Sequence, residues 1–331
     1  MGDKQRYWIG FDLGGTKMMA VVFDAKFRVV GRERKKSKPY LGKEDGMRRV
    51  CACIDTALGT AGIPAGRLAG IGFGLPGALD LNRGSIIESP NLGWKEVAVR
   101  RKIRARYRCP VAVANDADAG LYGEYAMGAA RGGRCVFGIF PGTGIGAGCV
   151  YNGELIRGAV GSCMEFGHVP VVPDGPLCGC GRRGCLETVA SRLAISSAAA
   201  VAAYRGEAPA LMKTAGCNLE EIRSATLADA IKKGDRAVEQ IVRAAAGRIG
   251  RAAGGVVNLL SPDVIVLGGG LVEAMPVLYK EEVSRGIADN VMPAFRGTYK
   301  VAVAKLGDDA VAAGAAALAA QAAVDGRGKK G

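Results

Sequence analysis

The chain lacks a continuous apolar run long enough to cross a lipid bilayer, although 49% of its 331 residues are hydrophobic, as in globular proteins. Alanine-rich stretches such as 310–323 fall short of the roughly 20 residues that a transmembrane helix needs. The first apolar run, 7–11, is too short for the hydrophobic core of a signal peptide, and it lacks a cleavage signature. We therefore expect a cytoplasmic protein without a membrane span, long enough for two ordinary domains.

The ten cysteines form no regular framework of the kind found in disulfide-rich secreted domains. Seven are scattered along the chain, but Cys178, Cys180 and Cys185 follow the only histidine, His168. Interleaved glycines let this short loop fold back on itself, and three thiolates with one imidazole are the ligand set of a closed structural zinc site. A disulfide or unpaired core thiols are the alternative interpretation.

Two carboxylates, Glu165 and Glu187, flank the predicted zinc loop. A metal loop that holds two acids in fixed positions can shape the wall of a pocket, and the metal would also set the ring orientation of His168. The loop is therefore a candidate for part of a binding site as well as for a structural support.

Aromatic side chains make up only 6% of the sequence, too few to supply a series of base-stacking platforms beside the basic runs at 32–38 and 100–108. The formal charge of +14 still raises nucleic-acid binding as an alternative. The apolar spacing between Trp94 and Tyr107 instead predicts a helix with a solvated basic face. We expect no DNA partner, and a basic surface would equally attract anionic substrates such as nucleotides or polyphosphate.

The apolar pattern predicts an α/β chain whose second half restarts the plan of its first half. Three β-type runs open the first half as a meander, and a hairpin opens the second. The predicted strands cover 8–12, 18–23, 27–31, 68–75, 111–114, 135–140, 146–150, 263–267 and 299–304. The predicted helices cover 44–62, 94–107, 187–204, 235–260 and 309–324.

Two glycine-rich hairpin turns are candidate phosphate-binding loops, at 12–17 and 142–148. In the first, glycines let the backbone approach a phosphate, a hydroxyl and an ammonium add donors, and Asp12 would hold magnesium through water. Its Thr-Lys order and the strand that follows argue against a P-loop, while a plain tight hairpin is the alternative. The second has glycine at every other position, unlike the dinucleotide fingerprint.

A third glycine cluster, Gly268 to Gly270, opens a helix and would leave room for adenosine. Two phosphate loops in successive domains predict a nucleotide gripped in the cleft between them. The candidate nucleotide-binding residues are Asp12, Gly14, Gly15, Thr16, Lys17, Gly142, Thr143, Gly144, Gly268, Gly269 and Gly270.

The dipeptide Asn115-Asp116 ends a strand and begins a helix, where the helix dipole favours an ionised carboxylate. A helix N-cap is the alternative, since Asn and Asp are favoured there on structural grounds. Phosphoryl transfer needs little more from a protein than an oriented acceptor hydroxyl and a magnesium-bound nucleotide. Beside two phosphate loops, Asp116 is therefore the candidate catalytic base.

Taken together, these motifs resemble those of the ROK family of bacterial sugar kinases and related repressors, over nearly the whole chain. The first phosphate motif matches 12–17, the G-x-P-G turn matches 74–77, and the catalytic dipeptide matches 115–116. The second phosphate motif matches 142–148, the E-x-G-H motif matches 165–168, and the zinc motif C-x-C-G-x-x-G-C-x-E matches 178–187. The pairing of the last two is far more specific than either glycine loop.

The resemblance implies an actin-like ATPase (ribonuclease H-like) fold, with two domains flanking a nucleotide and sugar cleft. The division we expect is a small N-terminal α/β domain, 1–117, joined by the last helix, 309–324, and a larger domain, 118–308, with the zinc loop. The polar, basic tail at 325–331 is expected to be disordered.

The resemblance also implies a homodimeric, ATP- and magnesium-dependent hexose kinase, first of all a glucokinase acting on the 6-hydroxyl. The segment 89–94 is similar to the sugar-binding stretch of glucokinases, and His168 would serve both zinc and sugar. The residues expected to bind the hexose are Gly77, Asn91, Asn115, Asp116, Glu165, His168 and Glu187.

Two alternatives stay open. The acceptor could be fructose, mannose, N-acetylglucosamine or N-acetylmannosamine, and polyphosphate could replace ATP as the donor. The chain could also be a non-catalytic sugar sensor or repressor of the same family. Repressors carry a helix-turn-helix module ahead of the first phosphate motif, and the eleven residues before Asp12 are too few for one, so we expect a kinase.

Overall fold

The computed structural model describes residues 6–159 and 161–328, which divide into two compact units. The first unit comprises Met1–Gly132, Glu154–Cys163 and Asp308–Gly331, and the second comprises Gly133–Gly153 and Met164–Gly307. The first unit thus extends past residue 117 and contains the last helix.

Groups of strands and groups of helices follow one another along the chain. The strands are β1 (Tyr7–Leu13), β2 (Lys17–Phe23), β3 (Val29–Lys36), β4 (Leu68–Leu75), β5 (Ala78–Asp80), β6 (Ser85–Ser89), β7 (Trp94–Val97), β8 (Val111–Asn115), β9 (Cys135–Pro141), β10 (Ile145–Tyr151), β11 (Glu154–Leu155), β12 (Val264–Leu267) and β13 (Lys300–Val303). The helices are α1 (Gly42–Ala61), α2 (Val99–Tyr107), α3 (Asp116–Ala126), α4 (Glu187–Ala190), α5 (Arg192–Tyr204), α6 (Pro209–Ala215), α7 (Ser224–Lys232), α8 (Arg236–Leu260), α9 (Gly270–Ala274), α10 (Pro276–Asn290) and α11 (Ala310–Gly328).

The two larger sheets repeat one strand order. One runs β3-β2-β1-β4-β8 and the other β11-β10-β9-β12-β13. Each sheet is built on an antiparallel hairpin, β1 with β2 or β9 with β10, and its last two strands run parallel to the first strand of that hairpin. The repeat of plan predicted for the second half is confirmed.

A third sheet, β5-β6-β7, was not predicted. It corrects the predicted helix at 94–107, which begins only at Val99 because Trp94 pairs with Ser89 in this sheet. The Trp94 indole is buried against α1, where a Cβ on Gly46 would lie 2.0 Å from the ring. Packing of this one aromatic side chain overrides the helical spacing.

In the first sheet, α11 packs on β1 and β4, and α1 packs on β2 and β3. Both β1 and β4 are almost wholly buried, and their Phe11 and Phe73 rings lie 5.1 Å apart. A Cβ on Gly10 would lie 1.7 Å from the Ala312 carbonyl oxygen, and a Cβ on Gly72 would lie 1.7 Å from that of Ala315. Glycine at both positions lets the backbone of α11 rest directly on the sheet.

Two helix predictions need adjustment. The helix predicted at 187–204 is interrupted at Ser191, whose hydroxyl accepts the Ala194 N–H at 3.3 Å and so begins α5 separately from α4. The last helix continues to Gly328, and the rest of the predicted disordered tail, 329–331, lies outside the described residues. Within 6–159 and 161–328, no helix is both long and apolar enough to span a bilayer.

Candidate active site

In the first unit, three parallel strands bring their carboxyl ends to one edge of the sheet. Asp12 of β1 lies in register with Gly74 of β4, and Gly74 with Ala114 of β8. The strand order therefore gathers the phosphate turn after Asp12 and the Asn115-Asp116 dipeptide, which are 100 residues apart in sequence, at the same edge.

Hydrogen bonds from Ser37 stabilise the first phosphate turn. The Gly14 N–H donates to the Lys17 carbonyl at 2.9 Å, and the buried Ser37 hydroxyl donates to the Gly14 carbonyl at 2.5 Å. The Ser37 N–H also donates to the Thr16 carbonyl at 2.9 Å. Thr16 and Lys17 themselves remain exposed, so that their hydroxyl and ammonium can meet a ligand.

Two other predicted site residues, Asn91 and Gly77, are held at this edge of the sheet by close contacts with the backbone. A Cβ on Gly15 would lie 2.9 Å from the Asn91 carbonyl oxygen, so the exposed Asn91 adjoins the phosphate turn. Gly77 has a φ of +93°, and a Cβ there would lie 2.4 Å from the Glu88 carbonyl oxygen. The G-x-P-G turn is thereby packed against the chain just before Asn91.

At the dipeptide, both side chains accept the Ala117 N–H at the start of α3. The Asn115 side chain caps α3 by accepting the Ala117 N–H at 2.9 Å. Asp116 Oδ1 accepts the same N–H at 2.9 Å, but burial outweighs this bond and raises the pKa of the carboxyl. Asn115 is therefore the N-cap of α3, and Asp116, the first residue of that helix, stays the candidate base.

Asp12 lies in a concentration of negative charge. Burial, followed by the charges of Asp116 and Asp308, raises the pKa of Asp12 to about 7, while Arg34 acts in the opposite direction. The Arg34 guanidinium donates to Asp308 at 2.6 Å and lowers the pKa of that carboxyl. Such a site favours a divalent cation, whose charge would relieve the repulsion. The sequence analysis identified neither Arg34 nor Asp308.

In the second unit, the second phosphate loop joins β9 to β10. The Gly142 N–H donates to the Gly144 carbonyl at 2.8 Å, and the loop is tied to the start of α5 because the Arg192 N–H donates to the Gly142 carbonyl at 2.8 Å. The Arg192 guanidinium also donates to the Thr143 hydroxyl at 3.0 Å. Arg192 was not predicted as a site residue.

The third glycine cluster adjoins this loop. The Gly268 N–H donates to the Ile139 carbonyl at 3.0 Å. Gly269 has a φ of +82°, and a Cβ there would lie 3.0 Å from the Pro141 carbonyl oxygen. The structure therefore brings the second phosphate loop and the start of α9 together, as a nucleotide site in this unit would require.

The four predicted metal ligands converge, with one ligand atom from each of His168, Cys178, Cys180 and Cys185 within 4.8 Å of the others. The Sγ atoms of Cys180 and Cys185 are 3.6 Å apart, and Cys178 Sγ lies 3.5 Å from His168 Nδ1. Tetrahedral zinc with bonds of about 2.3 Å to sulfur separates two sulfurs by about 3.8 Å. The donor set and its spacing therefore suit zinc.

All ten cysteines are free thiols, so the disulfide interpretation of this loop is wrong. Burial raises the pKa of Cys178 to about 12, whereas the Arg182 backbone N–H and the neighbouring thiols lower the pKa of Cys180 to about 7. Thiols this close together cannot all ionise without a cation among them. The arrangement is thus one that a metal ion would complete.

The fold of the loop depends on tight backbone turns. The Cys178 N–H donates to the Arg182 carbonyl at 2.8 Å. Gly184 has a φ of +73°, and a Cβ there would lie 1.8 Å from the Val172 carbonyl oxygen. Glycine at 184 therefore lets the chain return so that Cys185 faces the other ligands.

The flanking carboxylates contact the cluster and the phosphate loop. Glu187 Oε1 lies 3.0 Å from Cys178 Sγ and 3.5 Å from His168 Nδ1, and its Oε2 would be 2.9 Å from a Cβ on Gly144. Glu165 lies 4.0 Å from His168 Nε2. His168 thus turns one ring nitrogen to the cysteines and the other to an exposed carboxylate.

The E-x-G-H turn itself packs on the strand that follows the second phosphate loop. A Cβ on Gly167 would lie 2.5 Å from the Ile145 carbonyl oxygen, and the Phe166 ring meets Phe137 edge-on at 5.5 Å. These contacts place Glu165 and His168 beside the phosphate loop within one compact unit.

The repeated sheet with its hairpin loops defines the class of nucleotide-binding proteins with an actin-like ATPase fold. The family model "ROK family" matches residues 8–322, and the chain belongs to the ROK family.

A glucokinase of Thermotoga maritima is 33% identical over 311 residues, covering 94% of this chain and 96% of that protein. The crystal structure of a ROK family glucokinase from Streptomyces griseus, in complex with glucose and AMPPNP, superposes with a TM-score of 0.82 at 31% identity, covering 95% of this chain and 99% of that one. A xylose repressor of Caldicellulosiruptor bescii is 28% identical and covers 94% of this chain and 77% of its own length. The fold expected from the resemblance is confirmed by these comparisons.

Proposed function

We propose that this protein is an ATP-dependent glucokinase that transfers the γ-phosphoryl group of ATP to the 6-hydroxyl of glucose. The observation that carries the proposal is the pair formed by a raised-pKa carboxylate, Asp116, and a glycine phosphate turn at one edge of the sheet. The glucokinases of T. maritima and S. griseus, each more than 30% identical over nearly the whole chain, support the same activity.

In the proposed mechanism, Asp116 accepts the proton of the 6-hydroxyl as that oxygen attacks the γ-phosphorus, and the bond to the β-phosphate oxygen breaks to release ADP. Backbone N–H groups of both glycine turns, with Thr16, Lys17 and Thr143, bind the phosphates. Asp12 is the residue that would hold magnesium through water, and the ion would neutralise charge on the phosphates.

The residues proposed to bind the sugar are Gly77, Asn91, Asn115, Glu165, His168 and Glu187. Zinc on His168 and the three cysteines would supply structural support, fixing the ring of His168 and the direction of Glu187. The many free thiols suit a reducing, ATP-containing compartment, and we propose the cytoplasm. That the protein forms a homodimer remains a prediction from the resemblance.

The test is ADP release with magnesium and ATP, or with magnesium and polyphosphate, over a panel of hexoses and N-acetylhexosamines. We expect glucose with ATP to be preferred and Asp116→Ala to lose a factor of about 10² to 10⁴ in kcat while still binding glucose. Asp289→Ala, which removes an exposed carboxylate from α10, is the matched control. Near-normal turnover by Asp116→Ala would refute its role as the base.

The xylose repressor relative supports a sensor as the second candidate. A sensor would bind sugar and operator DNA, and it would not depend on Asp116. A folded, zinc-loaded protein that binds sugar but turns over no member of the panel would favour this candidate. Preference for another hexose would instead retain the mechanism and change the substrate.

A further inference from the structure

Arg192, the first residue of α5, stands at the second phosphate loop. Its guanidinium donates to the Thr143 hydroxyl at 3.0 Å, and its backbone N–H donates to Gly142. Among the residues that the structure describes, no carboxylate lies within ion-pair distance of this guanidinium. By contrast, Arg106 and Arg243 are paired with Asp55 and Glu282.

An arginine that lies beside a glycine loop and has no carboxylate partner there has the chemistry of an anion-binding site. The guanidinium presents a planar set of donors that matches phosphate oxygens in bidentate geometry. The exposed Thr143 adds a hydroxyl to the same side of the loop, and the contact between the two side chains keeps the guanidinium next to the loop.

We propose that Arg192 is a donor-binding residue whose guanidinium binds the phosphoryl chain of ATP at the second phosphate loop. The proposal rests on the proposed function and deepens it, because it assigns donor affinity to a residue outside every motif of the sequence. Arg192 acts on binding of the donor, so its loss should raise the KM and the Kd for ATP and leave glucose affinity unchanged.

The experiment compares Arg192→Gln and Arg192→Lys with Arg205→Gln. Arg205 is exposed at the opposite end of the same helix, so its replacement removes the same charge away from the loop. We measure the Kd for ATP by calorimetry, the Kd for glucose, and the steady-state KM values. Arg192→Gln should weaken ATP binding at least tenfold, Arg192→Lys should lose less, and Arg205→Gln should stay within twofold of the parent.

A purely structural role, in which Arg192 only holds Thr143 in place, is distinguished from phosphate binding by making the Arg192→Gln substitution in a Thr143→Val background. If Arg192 touches phosphate, the substitution still weakens ATP binding there. Unchanged ATP affinity of Arg192→Gln, or no further loss in the Thr143→Val background, would overturn the proposal. Because ATP binding is measured without sugar, absence of turnover in the unsubstituted protein would contradict the glucokinase proposal without deciding this one.

Discussion

The buried environment of the Asp116 carboxylate lowers the stability of the folded protein. Burial disfavours its ionised form and thereby raises its pKa. Its charge in turn contributes to the raised pKa of Asp12. Functional carboxylates are commonly held in such surroundings, where a base is kept available at the expense of folding free energy.

We therefore expect Asp116→Asn to stabilise the folded protein at neutral pH. A carboxyl with a raised folded-state pKa destabilises the fold fully above that pKa and not at all below its unfolded-state value of about 3.9. The gain in the free energy of unfolding should thus be largest at pH 8 and vanish below about pH 4. Urea titrations from pH 4 to 8 measure it, and a variant no more stable than the parent at pH 8 would contradict this account.

A second residue-scale prediction concerns the contact between β4 and α11. Gly72→Ala would place a Cβ 1.7 Å from a backbone oxygen, which no rotamer can relieve, and should cost about 1–3 kcal/mol. Gly59→Ala, in α1 with nothing within 4 Å of the new Cβ, should stabilise by about 0.4–1 kcal/mol. Chemical unfolding measures both changes, and equal effects would count against the proposed packing.

At this scale, the sequence analysis identified residues that belong to motifs and missed those that act through the fold. Ser37, Arg34 and Arg192 reach their partners across 23, 274 and 49 residues of sequence. Their residue types are ordinary for a strand end, a strand and a helix start. Only the folded structure, through strand order and hydrogen bonds between distant segments, reveals where these residues lie.

At the scale of elements, the zinc loop links several parts of the second unit. It contacts the phosphate loop through Glu187 and places His168 beside Glu165. A change at one metal ligand should therefore affect more than the metal.

Cys180→Ser should reduce zinc content, lower the temperature of unfolding and weaken glucose binding about tenfold or more. Cys217→Ser is the control, since Cys217 is an exposed thiol outside the cluster. Metal analysis, thermal unfolding and glucose titration on both proteins supply the comparison. Full zinc content and unchanged glucose affinity in Cys180→Ser would show that the loop does not position the sugar ligands.

Elements with long apolar runs were predicted well, and short mixed ones were not. The strand at Leu68–Leu75 has the predicted bounds, and α8 begins one residue from its prediction, because both bury a continuous apolar pattern. The sheet of β5, β6 and β7 consists of strands of three to five residues with mixed burial, and it carries no such signal. Its register depends on Trp94 and its partners in space.

For the whole molecule, the formal charge of +14 predicts how the KM values for the phosphoryl donor and for the sugar acceptor change with salt concentration. Part of the basic helix α2 is engaged locally, since Arg100 donates to the carbonyls of Leu81, Asn82 and Val111. The net field nevertheless attracts anions and is screened as the Debye length falls from about 10 Å at 0.1 M salt to about 3 Å at 1 M. The KM for ATP should rise with potassium chloride, while the KM for uncharged glucose should change little. Parallel salt dependence of both would contradict an electrostatic contribution to donor binding.

The position of α11 also sets an order of events during synthesis. This helix packs on β1, β4 and α3 of the first unit, yet it follows every segment of the second unit in the sequence and is therefore synthesised after it. Until then Gly10 and Gly72 have no helix backbone to contact, whereas every segment of the second unit has already been made. The first unit, whose strands precede the second unit in the sequence, therefore completes its own packing only after the second unit has been synthesised.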